Sequence, residues 1–203
     1  MKKEKILKLF EEKKALLKGH FLLSSGLHSD TYLQSALVLQ YPDLAGKLAR
    51  LIVHKLTRSK IDTVVSPALG GIVIGQEVAR VLGCRAIFTE REEGKMTLRR
   101  GFQIKKEEKV LVVEDVITTG GSTQEVINVV KNAGGKIVAV GCLVDRSGGQ
   151  VKFDYSLISL LKLKIKNYQS QRCLLCKKNI PLVKPGSRIA AKNAELSQRT
   201  QKI

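Results

Sequence analysis

VLVVEDVITTGGST, residues 110–123, decides how this chain folds. Four apolar residues (Val110, Leu111, Val112, Val113) lead straight into two carboxylates, Glu114 and Asp115. A hydroxyl- and glycine-rich turn follows from Thr118 to Thr123, and then a helical pattern through Val126, Ile127 and Val130. An apolar run this short, bounded by turn chemistry, reads as a strand buried on both faces. The order strand, acid pair, small polar loop, helix gathers free backbone N–H groups and the positive end of a helix dipole at one spot, which makes a phosphate site. The adjacent acids suit a phosphate carried by a hydroxylated sugar. Neither the P-loop spacing nor the dinucleotide fingerprint is present, so the segment fits a monophosphate ringed by N–H and hydroxyl groups. An ordinary strand-to-helix turn with Asp115 as a cap would need one carboxylate and no Gly-Gly.

Outward from this segment, strands and helices alternate. Strands are predicted at Thr63–Ser66, Ala86–Thr89, Val110–Val113 and Ile137–Val144, with helices at Gly71–Leu82 and Ser122–Asn132. That alternation predicts an α/β fold, a parallel sheet with helices on both faces, and ligands in such sheets bind beyond the carboxyl ends of the strands. Ile6, Leu7, Leu9, Phe10, Leu16 and Leu17 recur at helical spacing up to Gly19, and a second helix is expected from Asp43 as N-cap through Leu44, Leu48, Leu51, Ile52 and Leu56. Residues 20–41 suggest an irregular or hairpin segment. Residues 90–109, EREEGKMTLRRGFQIKKEEK, form a long polar connection of the kind that serves as a functional lid or is disordered. After Ser156, Leu161, Leu163 and Ile165 alternate with Lys162, Lys164 and Lys166 as a half-exposed strand. The organisation expected is one domain over residues 1–186, with a small hood subdomain from about 15–41 and 155–186, and a basic polar tail over 187–203 that frays.

At 203 residues the chain can build one sizeable core, and its 43% apolar content argues for a globular protein. The longest uncharged stretch, Thr63–Gln76, is too short to span a membrane and contains Pro67, Gly70 and Gly71. The N-terminus, MKKEKILKLFEEKK, lacks the apolar core of a signal peptide, so a cytoplasmic location is expected. Lys and Arg total 36 against 18 Asp and Glu, a net charge of +18. Such an excess attracts polyanions or phosphorylated small molecules. The basic residues are spread along the chain, and with 4% aromatic residues and no Trp the stacking platforms of single-strand binders are scarce. Nucleic acid is therefore not the expected partner.

Four cysteines in a cytosolic chain do not suggest a disulfide framework. Cys84 and Cys142 lie in apolar surroundings and read as core residues. Cys173 and Cys176 form a C-x-x-C, which supplies two of the four ligands of a structural zinc site; two copies across a dimer axis would complete it, and two unligated thiols are the alternative. A thioredoxin-like role does not suit a motif this late in the chain. His20 and His28 read as structural or hydrogen-bonding residues, and nothing in the spacing supports a hydrolytic triad.

EDVITTGGST (114–123) resembles the signature of the type I phosphoribosyltransferases. The resemblance implies that Glu114 and Asp115 hold the ribose hydroxyls of 5-phosphoribosyl 1-diphosphate. The binding segment would run on through Val116, Ile117, Thr118, Thr119, Gly120, Gly121 and Ser122, whose loop cradles the 5′-phosphate. GHFLLSSGLHSDTY (19–32) resembles the N-terminal segment of the orotate phosphoribosyltransferases, which implies that Ser25 and Gly26, with Thr118, lie near the base. SPALGGIVIG (66–75) resembles their diphosphate loop, and VDRSGG (144–149) sets Arg146 where an arginine meets the orotate carboxylate. The likeness covers residues from about 15 to 190. The chain departs from that pattern in having Ser24 and Gly70 where lysines are common. Its mobile loop carries Arg91, Lys95, Met96, Arg99 and Arg100 in place of R-K-x-x-K-x-H.

The function so implied is reversible transfer of ribose 5-phosphate to orotate, giving orotidine 5′-monophosphate and diphosphate in pyrimidine biosynthesis. Asp115, Lys95 and Arg91 would be the catalytic residues. Mg²⁺ would be held chiefly by substrate oxygens and water, and a homodimer would close the 90–101 loop of one subunit over its neighbour's site. Arg91, Lys95, Arg99 and Arg100 could instead be solvated loop charges, but departure of diphosphate concentrates negative charge that cations must stabilise. A purine-type phosphoribosyltransferase would keep 114–122 without needing Arg146. A non-catalytic regulator that senses the same diphosphate and binds nucleic acid would account for the +18 charge without needing the basic loop.

Overall fold

A computed structural model describes residues 1–23, 25–56 and 59–185. In chain order these form α1 (Lys3–Glu12), β1 (Leu16–Leu22), β2 (His28–Leu33), α2 (Ala36–Leu39), α3 (Pro42–His54), β3 (Thr63–Pro67), α4 (Gly70–Leu82), β4 (Arg85–Glu92), β5 (Lys95–Leu98), β6 (Lys109–Ile117), α5 (Gly121–Asn132), β7 (Lys136–Asp145), β8 (Leu157–Lys162), β9 (Asn167–Tyr168) and α6 (Leu174–Lys177). They divide into two units: Met1–Ala15 with Gln34–Lys164, and Leu16–Leu33 with Ile165–Ile203. The proposed tail 187–203 and Ser24 lie outside the described residues.

The larger unit is a six-stranded sheet in the order β5-β4-β3-β6-β7-β8, parallel except for β5 at one edge. β6 sits inside it, and Val110, Leu111, Val112 and Val113 are all fully buried. Strand side chains alternate between faces, so Val110 and Val112 join the core made with Val126, Ile127 and Val130 of α5. The opposite face is covered by α3 and α4, where Ile52 lies 3.1 Å from the position a Cβ would take at Gly141 of β7. Burying each such aliphatic side chain stabilises the fold by roughly 1.5–3 kcal/mol. The α/β architecture with helices on both faces is the one expected from sequence.

Several boundaries differ from the sequence reading. α1 ends at Glu12, and Leu16 and Leu17 belong to β1. Lys14 has a φ of 54°, which ends the helix before Gly19 is reached. α3 begins with Pro42, whose fixed φ suits the first helical position, so Asp43 sits inside the first turn rather than at the cap. β6 runs on through the two acids to Ile117. The first part of the 90–109 connection is an ordered hairpin, with Arg91 opposite Met96 and Glu92 opposite Lys95 across a two-residue turn, Glu93–Gly94. Both turn residues have positive φ, the signature of the tight turn that matches strand twist.

In the smaller unit β1, β2 and β9 form an antiparallel sheet. Among its described residues the buried apolar side chains are Phe21, Leu33 and Cys173, and the buried polar ones are His20, His28 and Ser29.

Candidate active site

Both acids are held by the ladder of β6 rather than by a loop. Glu114 pairs in register with Cys142 of β7 and is 7% exposed. Burial, reinforced by the neighbouring Asp115, pushes its carboxyl up to about 9. The Asp115 N–H donates to Glu114 Oε1 at 3.1 Å. Alternation turns Asp115 to the α4 face, half-buried, where the Ser35 hydroxyl donates to its Oδ2. The start of α4 lies so close that a Cβ at Gly70 would sit 2.6 Å from Asp115 Oδ1.

Thr118, Thr119, Gly121 and Ser122 are exposed, and Gly120 is buried beneath them. Gly120 has a φ of 81°, and a Cβ there would lie 2.8 Å from Val151 Cγ1 and 3.1 Å from Phe153 Cζ. Only glycine meets both demands. Gly120 is also the N-cap of α5, so no side chain caps the helix, and its first turn holds no acidic residue. The first closing bond runs from Gln124 N–H to Gly120 O at 2.8 Å. Among the described residues the N–H groups before it remain available, and the positive helix end is uncompensated. Val116 is half-buried, and Ile117, the last residue of β6, departs from the alternation and places its side chain in the α5-side core.

Arg146 follows β7 and is tied to the end of β6 by its N–H, which donates to Ile117 O at 2.8 Å. The turn after it is shaped by buried Asp145, which accepts from Ser147 N–H at 2.9 Å and Ser147 Oγ at 2.6 Å. The 118–122 loop and Arg146 therefore leave the sheet from adjacent strand ends.

On the β4–β5 hairpin, Arg91 reaches Glu125 of α5 at 2.9 Å and Gly94 O at 2.8 Å. Arg99 pairs with Glu92 at 3.2 Å and Arg100 with Glu90 at 2.7 Å. Lys95 is exposed and, among the described residues, enters no ion pair. Ser25 and Gly26 occupy the exposed β1–β2 turn of the smaller unit and line an open depression with Gln169 and Arg172. The C-x-x-C residues lie in the same unit.

Ser35 escaped the sequence reading, because no local pattern links it to an acid 80 positions away. Sequence reading also missed that His20 and His28 stand beside Cys173 and Cys176.

The family model for the phosphoribosyl transferase domain matches residues 37–173. The chain is 54% identical over 188 residues to the orotate phosphoribosyltransferase of Caldanaerobacter subterraneus subsp. tengcongensis, covering 93% of this chain and 99% of the relative. It is 55% identical over 188 residues to that of Caldicellulosiruptor saccharolyticus, covering 93% and 98%. Among solved structures it is similar to the orotate phosphoribosyltransferase of Aeropyrum pernix, with a TM-score of 0.63 and 26% identity over 78% of this chain and 94% of that one.

Proposed function

The chain belongs to the orotate phosphoribosyltransferase family, and on that premise we propose how its residues divide the transfer of ribose 5-phosphate from 5-phosphoribosyl 1-diphosphate to orotate. The observation that supports the division is the sequence of environments along one strand and helix. Two ladder-held acids are followed at once by an exposed hydroxyl and glycine loop on an uncapped helix end.

The 118–122 loop takes the 5′-phosphate through backbone N–H groups and the hydroxyls of Thr118, Thr119 and Ser122. Glu114 and Asp115 take the ribose hydroxyls. Glu114 keeps its proton at neutral pH, so it offers one donor and one acceptor oxygen, matching a hydroxyl group. Contacts to these non-reacting parts fix the sugar and orient C1. The C1–O bond to diphosphate then breaks, its electron pair leaving with the diphosphate, and C1 gains oxocarbenium character. The orotate ring nitrogen forms the new C1–N bond, and its proton passes to the released diphosphate.

Lys95 and Arg91 neutralise the diphosphate as its charge concentrates. Arg91 can do so by exchanging Glu125 for the diphosphate. Exposed ion pairs of this kind contribute only about 0–1 kcal/mol, so the exchange costs little. Arg146 meets the orotate carboxylate, with Thr118 beside it. Ser25 and Gly26 are assigned to base recognition on the pattern of residues 19–32.

The carboxylate oxygens of Asp115 fit Mg²⁺. Asp115 would hold it through water, with most ligands coming from the substrate. When bound, Mg²⁺ would offset part of the diphosphate charge. Among the described residues no helix is long and apolar enough to cross a membrane, and we place the enzyme in the cytoplasm as a homodimer.

The test is to incubate the protein with Mg²⁺, 5-phosphoribosyl 1-diphosphate and, separately, orotate, uracil, hypoxanthine or adenine. Loss of orotate absorbance with the other bases untouched is expected. Consumption of a purine would overturn the base assignment, and no turnover of any base would overturn the enzymatic reading.

A further inference from the structure

We propose that His20, His28, Cys173 and Cys176 form a structural zinc site within one chain. One ligand atom from each lies within 4.8 Å of all the others. Cys173 Sγ is 3.4 Å from His20 Nε2, and Cys176 Sγ is 3.7 Å from His20 Nε2 and 3.3 Å from His28 Nδ1. Zn–N bonds of about 2.0–2.1 Å and Zn–S bonds of about 2.3 Å place tetrahedral neighbours about 3.5 Å apart for an N–S edge and about 3.4 Å for N–N. The three N–S separations already match. The two imidazoles are closer, 2.8 Å, because they share a hydrogen bond.

The protonation pattern suits a metal as well. His20 Nδ1 lies 2.8 Å from Ile180 O, so this nitrogen carries the proton and Nε2 presents a lone pair to the cluster. The proton in the imidazole pair therefore belongs to His28 Nδ1. Zinc would take the place of that proton, which moves to the other ring nitrogen, and would release the two thiol protons. Two thiolates then balance the charge of the ion. Soft sulfur and imidazole donors in a tetrahedral S₂N₂ set select zinc over hard ions that prefer oxygen ligands. Four protein ligands leave no open position, so the site is structural rather than catalytic.

The need for such a site is visible in the packing. The described part of the smaller unit, residues 16–23, 25–33 and 165–185, is close to the size, about 40 residues, below which a hydrophobic core alone seldom holds a fold. Its described residues bury only Phe21, Leu33 and Cys173 as apolar groups. His20 comes from β1, His28 from the first position of β2, Cys173 from the N-cap of α6 and Cys176 from within that helix. One ion would thus join both strands of the hairpin to the returning chain. All four cysteines are free, so no disulfide performs this task.

The full chain, purified without chelator and dialysed against metal-free buffer, should hold one zinc per chain by elemental analysis. Cobalt exchange should give the intense visible bands of a tetrahedral cobalt thiolate, and stripping zinc with a thiol-directed mercurial should release it and lower the thermal midpoint. Cys173→Ser and His28→Ala should each lose zinc, while Cys84→Ser, outside the cluster, keeps it. A reduced wild-type protein that contains no zinc and takes up no cobalt would overturn the proposal, whatever the variants do. So would an octahedral cobalt spectrum, a Cys173–Cys176 disulfide in the protein as isolated, or half an ion per chain, which would mean a site shared between copies.

Discussion

Ser35, at the N-cap of the short helix α2, donates its hydroxyl to the carboxylate of Asp115, 80 positions along the chain. Ser35 is only 2% exposed. It fixes the rotamer of an acid whose other neighbour is the backbone of Gly70.

Replacing Ser35 with Ala should therefore reduce kcat/KM for the phosphoribosyl donor by about 10-fold or more, since a hydrogen bond to a charged group contributes roughly 1.5–3 kcal/mol. Asp115→Asn should lose nearly all activity with an unchanged circular dichroism spectrum. Steady-state kinetics on both variants provide the check, and wild-type kinetics in Ser35→Ala would show that Asp115 needs no such anchor.

Glu114 makes stability depend on pH. Its folded carboxyl titrates at about 9 against an ordinary value of 4.5. Below the ordinary value the group is protonated in both folded and unfolded chains. Between the two values the unfolded chain ionises while the folded one keeps its proton, so stability falls as pH rises and levels off above the folded value. Glu114→Gln removes that slope. Urea denaturation between pH 6 and pH 8 should show the wild type losing on the order of 2 kcal/mol relative to the variant. Parallel pH profiles for the two proteins would contradict the raised carboxyl.

Gly70→Ala introduces a methyl group 2.6 Å from Asp115 Oδ1. Either the carboxylate or the start of α4 must shift, and a displacement near 1 Å can cost on the order of 100-fold in rate. The expected result is a large fall in kcat with a thermal midpoint close to wild type. Unchanged kinetics would mean that Asp115 tolerates displacement.

The Arg91–Glu125 pair leaves both side chains substantially exposed, 47% and 40%. Glu125→Gln should change stability by less than about 1 kcal/mol and should lower KM for the phosphoribosyl donor, because Arg91 is then free to meet the diphosphate. Arg91→Ala should raise that KM and reduce kcat. Should both variants match wild type in donor kinetics, Arg91 would be a solvated loop charge after all.

What was legible in the sequence was what is local. Val110–Val113 announce a buried strand because four adjacent apolar residues satisfy both faces of a sheet, and the Thr–Gly–Ser turn behind them has one good use at a helix start. Leu16 and Leu17 misled because an apolar pair fits the end of a helix as well as a strand; the break lies in the backbone of Lys14, which has no local signal. The β4–β5 hairpin was hidden because β5 is only four residues long, so Met96 and Leu98, which pack against the core, give too short an alternation to stand out among the charges around them. Contacts across long separations left no trace at all. His28 and Cys176 are 148 positions apart, and a C-x-x-C read alone shows half of a ligand set.

Holding Glu114 and Asp115 inside β6 has a consequence for how tightly a sugar can be gripped. Freezing a residue's backbone costs about 1–2 kcal/mol of conformational entropy, and acids on a free loop would incur that loss each time a ligand arrived. Here Glu114 is paired with Cys142 and Val116 with Val144, so the ordering is complete once the sheet has formed. On the proposed reading an incoming ribose meets a rigid pair, and only the turn 118–120 ahead of α5 is left to settle around its phosphate.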